Sequence, residues 1–342
     1  MAEAIGVGII GLGGIGTIHA RALADLSERT RLVAYSGGGP DAAAAAGWPD
    51  AVQVGARDVV GHDGVGVVAI CSPTETHASL ALAALEAGRH VVVEKPRAVT
   101  VADAEAVARL AEERGLMVSM VSQRRFEPEH LHLKRLLDAG ELGELRLAAT
   151  EVHWYRDDAY YASAPWRTSM AGGGGSLMNQ GVHNVDLLRW LCGPVDTVTA
   201  QYGTLAHDMD AEDTTVATVR FASGALGLVS TSTATPPGSP ATITLRLSTG
   251  MVELGQGTVD RWEVGDVPPP EDTSRTIASG AADPLAIGHA GHLNQWRDIV
   301  RALDEGTAPA VDARDAVETV RLLCAVYEAA RTGRAVRPAE LS

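Results

Sequence analysis

Three polar residues sit at helical spacing in an otherwise apolar run. Asn179, His183 and Asp186 fall at i, i+4 and i+7 in a stretch that reads as a helix over 176–191, so they line one face. Most of the other side chains are Leu, Val or Trp. A buried polar group left without a partner costs about 1–3 kcal/mol, so the column needs either partners or a task. It is a satisfied core network, or it is an acid/base histidine facing a cleft. The run Gly172–Gly175 opens this segment.

A second reactive group stands in the first third of the chain. Glu94-Lys95-Pro96 closes a strand over 90–94, and in a parallel sheet ligands bind beyond the carboxyl ends of the strands. Pro96 biases Lys95 to an extended backbone. An exposed surface lysine is the plain alternative. Upstream, Gly11-Leu-Gly13-Gly14-Ile15-Gly16 follows a strand over 4–10 and opens a helix. Gly11 permits a tight turn, Gly13 lets backbone approach a pyrophosphate, and Gly16 lets helix pack on strand. The phosphates then sit on the free N–H groups of the helix start. About 20 positions on, a carboxylate commonly holds the adenosine ribose. Here the second strand ends Tyr35-Ser36-Gly37-Gly38-Gly39, with neither a carboxylate nor an arginine. Ser36 can hydrogen-bond either cofactor form, so the expectation is NAD or NADP, leaning to NADP.

The elements that position these groups follow from pattern. Strands over 4–10, 31–35, 65–70, 90–94 and 117–121 alternate with helices over 16–27, 75–87 and 101–114. That alternation predicts a doubly wound parallel sheet. After Gln123, Thr- and Val-rich strands over 195–202, 214–221, 225–233 and 242–248 are separated by short turns, which predicts a mainly antiparallel sheet with one face covered. The expected fold is α/β, an N-terminal Rossmann domain (1–123) followed by an α+β domain (124–342) with a large open sheet. A terminal helix over 312–332, capped by Asp312 and stopped by Gly333, is placed to pack back near the first domain. The stretch 264–283 reads as an exposed loop.

Length and composition fit this reading. A chain of 342 residues, 46% hydrophobic and 21% charged, exceeds one average core and suggests two domains. A net charge of −15 disfavours nucleic acid and an anionic membrane surface. No apolar run nears the roughly 18 residues of a membrane span. Cys71, Cys192 and Cys324 lack metal or disulfide spacing and read as buried small hydrophobes. No metal site is expected. With no secretory leader pattern, the expected location is the cytoplasm.

Six motifs occur in order: Gly11-x-Gly13-x-x-Gly16-x-x-His19, Cys71-Ser72-Pro73-Thr74-Glu-Thr-His77, Glu94-Lys95-Pro96, Gln123-Arg-Arg-Phe-Glu-Pro128, Pro165-Trp166-Arg167 and Gly172–Asp186. Together they resemble the glucose–fructose oxidoreductase / inositol dehydrogenase / rhizopine catabolism (Gfo/Idh/MocA) family. The resemblance runs from residue 5 to at least Gly224. It implies hydride transfer between a nicotinamide and the hydroxyl-bearing carbon of a sugar, a cyclic polyol or a derivative. It implies a homodimer or homotetramer built through the C-terminal sheet. It implies that Lys95 is the catalytic lysine and His183 the acid/base. Ser72, Pro73, Thr74, His77, Glu94 and Gln123 flank the cofactor, and Trp166 and Arg167 lie over the cleft. Many members carry an aspartate where this chain has Asn179. Asparagine orients but cannot stabilise an imidazolium by charge, so Asp186 is a second candidate for that role.

Weaker candidates remain open. His130 and His132 diverge on a helix and read as a solvated face. His289 and His292 border a cleft or cap a helix. Arg124 and Arg125 meet a ligand anion or pair with acidic neighbours. Tyr155, Tyr160 and Tyr161 form a sugar-stacking lid or a packed loop. Three functions compete: a dehydrogenase or reductase of sugar-like alcohols, an enzyme coupling oxidation to elimination, and a non-catalytic dinucleotide-binding regulator. Retention of both Lys95 and His183 favours catalysis, since sensing needs neither.

Overall fold

The computed structural model describes residues 3–39, 41–270 and 288–342. The described residues form two compact units, one of residues 1–123 with 288–320 and one of 124–287 with 321–342.

In the first unit β1 (Ile5–Ile10) leads through the glycine turn into α1 (Gly14–Ala24), then β2 (Thr30–Ser36), α2 (Ala42–Ala45), β3 (Val52–Gln53), α3 (Ala56–Gly61), β4 (Val67–Ile70), α4 (His77–Glu86), β5 (His90–Val93), α5 (Val101–Arg114) and β6 (Val118–Met120). The strands are parallel, in the order β3-β2-β1-β4-β5-β6. This is the doubly wound arrangement expected from the alternation of strands and helices. The strands read as short apolar runs because both faces are covered; every side chain of β4 is buried. Each helix stop is physical: Gly115 takes a left-handed φ of 62° after α5, where a glycine meets no Cβ penalty.

In the second unit α6 (Pro128–Asp138), β7 (Leu145–His153) and α7 (Asp158–Ala162) precede α8 (Val182–Cys192), and β8 (Val195–Gly203), β9 (Thr214–Phe221), β10 (Leu226–Ser232), β11 (Thr242–Leu247), β12 (Gly250–Leu254) and β13 (Val259–Val264) follow. The sheet order is β13-β12-β11-β7-β10-β9-β8. All pairings are antiparallel except β7 with β10. Along β9 buried and exposed residues alternate, so one face carries the core and packs against α8. The other face leaves Val216, Leu226 and Leu228 respectively 50%, 47% and 45% exposed.

The chain continues with α9 (Ala290–Glu305) and α10 (Ala313–Thr332). The carboxylate of Asp312 accepts from Asp315 N at 2.8 Å, the cap anticipated from sequence. Helix α9 packs on α1 and buries Trp296 and Ile299 in the core of the first unit. It therefore belongs to that unit, whereas the linear boundary at 123/124 grouped it with the second.

Three expectations need correction. The central strand β7, and β12 and β13, were not read from the sequence. The segment 176–191 is not one α-helix: Ser176–Gly181 is a π-helical turn, and α8 begins only at Val182. Of the loop expected over 264–283, residues 271–283 lie outside the described residues. Among the described residues no helix is long and apolar enough to cross a membrane.

Candidate active site

The glycine turn forms because backbone passes too close to backbone for any other residue. A Cβ on Gly16 would lie 2.2 Å from Gly11 O, and one on Gly11 would lie 2.7 Å from Cys71 O. A Cβ on Gly13 would meet nothing within 4 Å. Gly11 and Gly16 are thus consumed by packing, while Gly13 faces open space at the start of α1. That start has no side-chain cap and no acidic residue in its first turn. The first N–H groups of a helix have no intrahelical partner and attract anions, so Gly14, Ile15 and Gly16 fit a pyrophosphate. Gly11 N and Leu12 N donate to Ser36 O at 3.0 and 2.8 Å. Gly37 and Gly38 both take φ of 73°, and a Cβ on Gly38 would stand 2.3 Å from Leu12 O. The turn after β2 therefore has no room for the missing ribose-binding side chain. The buried Gln123 Oε1 has no partner among the described residues, as suits a carboxamide-bearing ligand.

At the end of β5 a carboxylate is buried. Glu94 is 5% exposed. Its Oε1 accepts from His19 Nε2 at 3.0 Å, and its Oε2 accepts from the Lys95 amide at 3.1 Å. Burial pushes the Glu94 pKa up, but hydrogen bonds and charge from His19 and His292 outweigh it and hold the carboxyl well below the usual range. Trp296 Nε1 donates to His19 Nδ1 at 2.9 Å. Indole nitrogen only donates, so the proton of His19 is on Nε2, facing Glu94. His292 lies with its Nε2 3.7 Å from the same oxygen, too far for a hydrogen bond.

His19, Glu94 and His292 have the composition of a metal site. The indole argues against one. A metal on His19 Nε2 would move the proton to Nδ1, where it would confront the Trp296 N–H. The trio is a carboxylate held by imidazole.

Other residues fix the same edge. His77, buried, reaches Pro96 O through Nδ1 and Ser72 O through Nε2, both at 2.8 Å. It staples the turn after β4 to the turn after β5 rather than exposing its ring. Burial lowers its pKa, against the two carbonyls that raise it. Ser72 Oγ bonds Thr76 Oγ1 at 2.6 Å, and Thr74 is buried. Arg97, wholly buried, donates to Ala313 O and Ala104 O, and burial pulls its pKa down to about 10. Lys95 lies half-buried between these anchors, and its peptide bond to Pro96 is cis.

In the second unit the Gly172–Gly175 run serves close packing. A Cβ on Gly174 would lie 2.2 Å from Arg167 O, and Gly175 has a φ of 93° with Glu212 beside it. Glu212, not singled out from sequence, caps the π-helical turn. Its carboxylate accepts from Ser176 Oγ at 2.6 Å, Leu177 N at 2.8 Å and Tyr327 Oη at 2.9 Å. Burial raises its pKa and these neutral donors only partly oppose that. Asn179 stands in this turn and donates to Tyr160 Oη at 3.0 Å. His183 is in the first turn of α8, half-buried.

The three-residue column divides. Asp186 is 3% exposed, and both its oxygens accept from Arg125, one from Nε at 2.7 Å. It is a structural ion pair, which corrects its reading as a partner for His183. Arg124 donates to Asn184 Oδ1 at 2.6 Å. His130 is buried beside Glu127, Nδ1 to Oε2 3.1 Å, so the solvated-face reading fails for it. His132 meets Pro268 O and the Trp262 ring. His289 pairs with Asp25 at 2.7 Å on the surface. Of the tyrosines, Tyr161 is buried on Thr233, and Tyr155 is exposed. Cys71 is buried, and all three cysteines are free.

Comparisons agree with this architecture. Residues 5–122 match the oxidoreductase family with an NAD-binding Rossmann fold, and residues 130–253 match the GFO/IDH/MocA C-terminal domain. Inositol 2-dehydrogenase 1 of Saccharopolyspora erythraea is 34% identical over 196 residues, 54% of this chain and 53% of that protein. The match therefore spans about half of that relative's length. The scyllo-inositol 2-dehydrogenase (NADP(+)) IolW of Bacillus subtilis is 24% identical over 98% of this chain and 96% of its own. The WlbA dehydrogenase of Bordetella pertussis, solved with NADH and UDP-GlcNAcA, superposes with a TM-score of 0.86 at 30% identity, covering 98% of this chain and 99% of that one.

The histidines set an acid limit on stability. His77 and His292 both have pKa values lowered by burial, so below about pH 6.5 the unfolded chain binds protons that the folded one refuses. Unfolding free energy should fall with pH from about 6.5 downward, by up to about 1.4 kcal/mol per pH unit for each histidine. Glu94, depressed, adds loss only below its unfolded value of about 4.3. Urea unfolding at a series of pH values checks this. His292→Gln should flatten the slope between pH 5 and 6.5, and an unchanged slope contradicts the assignment.

Proposed function

The chain belongs to the Gfo/Idh/MocA oxidoreductase family, and from that premise we propose an NAD(P)-dependent dehydrogenase acting on a CH–OH carbon of a sugar, cyclic polyol or derivative. The observation that carries the reading is the anchored exit of β5. Glu94, His77 and Arg97 fix the backbone on either side of Lys95, so its ammonium has a defined direction of approach. Inositol dehydrogenases among the relatives and a dinucleotide and a sugar nucleotide in WlbA support this substrate class.

When bound, the nicotinamide accepts or supplies the hydride. The residues do the rest. Lys95 places a positive charge at the substrate oxygen and stabilises negative charge that develops as the carbinol is oxidised. His183 takes the hydroxyl proton in oxidation and returns it in reduction; a free imidazole titrates at about 6.5, suited to both directions. Asn179, oriented by Tyr160, holds substrate rather than charge. Gly14, Ile15 and Gly16 seat the pyrophosphate, and Ser36, Ser72, Pro73, Thr74, Gln123, Trp166 and Arg167 line the rest of the cofactor. His77 and Glu94 act on it by holding those turns. With Gly37 and Gly38 after β2, no carboxylate repels a 2′-phosphate, so NADP is used at least as well as NAD.

A panel of inositols, hexoses and hexuronates, followed by nicotinamide absorbance with each cofactor, tests the reading. His183→Ala should lose about 10²–10⁴ in kcat and Lys95→Ala about 10²–10³, with NADH binding retained by His183→Ala. Either variant running at the wild-type rate excludes the assignment. We further propose self-association through the outer sheet face. Leu226→Glu with Leu228→Glu should then give monomers by light scattering, and an unchanged mass refutes that surface.

A further inference from the structure

In the segment after β7, two guanidinium groups gather on one tyrosine. Arg167 Cζ lies 4.2 Å from the Tyr160 ring centre and Arg156 Cζ lies 5.3 Å from it. Arg156 also faces Trp154 at 5.6 Å, and Arg167 faces Trp166 at 5.6 Å. Arg156 is 5% exposed. These are like charges in a partly dry place, and they repel: burial lowers the Arg156 pKa, and the Arg167 charge lowers it further.

No carboxylate compensates Arg167. Among the described residues it forms no ion pair. Its contacts are Tyr160 O at 3.0 Å and Ser163 Oγ, and its buried Nε has no partner. The near acid, Asp157, is turned away to cap α7, accepting from Tyr160 N at 2.8 Å. Collecting cations in a chain of net charge −15, with acids available and not used, is what a site for an external anion requires. The guanidinium fork matches carboxylate and phosphate oxygens.

Its place narrows the anion. Tyr160 Oη accepts from Asn179 Nδ2 at 3.0 Å and from Gln180 Nε2 at 3.1 Å. The tyrosine that carries the arginines is thus bonded to the residue one turn ahead of His183. We propose that Arg156 and Arg167, gathered on Tyr160, form an anion subsite for an oxyanion attached to the sugar ring of the substrate. A ring carboxylate is the form that fits within a sugar's breadth of Asn179. This rests on the dehydrogenase reading above. The neutral inositols of the relatives would then be poorer ligands than sugar acids.

Calorimetric binding to the NADH-loaded protein separates the outcomes. The probes are D-glucuronate, D-glucose 6-phosphate and D-glucose at low salt. The wild type should bind glucuronate at least tenfold tighter than glucose, and the margin should shrink as salt rises. Arg167→Gln should bring the two within threefold, with the Kd for NADH unchanged; Arg167→Lys should retain part of the preference. Tighter binding of the phosphate than of the carboxylate would keep the subsite and reassign the oxyanion. Equal affinity of the wild type for all three sugars overturns the inference. So does an Arg167→Gln variant that keeps the preference, or one that loses NADH instead, which would give the arginine to the cofactor. Arginine-dependent glucuronate binding without any nicotinamide turnover would sink the dehydrogenase reading and leave the subsite standing.

Discussion

An ionised carboxylate taken out of water is costly unless donors surround it, and the first unit is organised around one. Glu94 ends β5 with an imidazole N–H on one oxygen and the Lys95 amide on the other. The imidazole comes from α1 and is itself fixed by an indole from α9. Two helices and the catalytic strand thus meet at a single group. Remove it, and both the exit of β5 and the seat of α1 lose their common reference. The direction taken by Lys95, and the position of the glycine turn that α1 begins, depend on that carboxylate.

The second unit solves a similar problem with the opposite electrostatics. Glu212 is buried too, but its donors are two hydroxyls and a backbone amide. Neutral donors do not repay burial as fully as imidazoles do, so its pKa rises where that of Glu94 falls. The strain is taken up in a π-helical turn, a form found mostly as single turns near functional positions. Asn179 sits in that turn and His183 directly after it. The two polar side chains available for chemistry are thus set by a cap that lies 29 residues beyond His183 in the sequence.

Much of this was legible in the residues, and the failures share a cause. Glycines that make close approaches announce themselves, because nothing else fits at Gly11 or Gly16; strands buried on both faces appear as plain apolar runs. Strand β7 did not, since Leu-Arg-Leu-Ala-Ala-Thr-Glu-Val-His carries few β-branched residues and gains its place from neighbours on both sides. The π-helical turn cannot be seen by a search at 3.6 residues per turn. The column of Asn179, His183 and Asp186 therefore looked uniform, although Asp186 is committed to Arg125. Partners distant in sequence, such as Trp296 for His19 and Glu212 for Ser176, have no local signature. His292 was noticed only as half of a pair with His289, and the two turn out to do different things.

The account stands or falls on direct hydride transfer assisted by one lysine and one histidine. The most direct measurement is single-turnover oxidation of a substrate deuterated at its carbinol carbon, analysed by mass spectrometry of the nicotinamide. The account predicts deuterium on the reduced ring, a primary isotope effect on the rate, and a rate that collapses when either Lys95 or His183 is truncated. Label released to solvent, or transfer that survives both truncations, would contradict it.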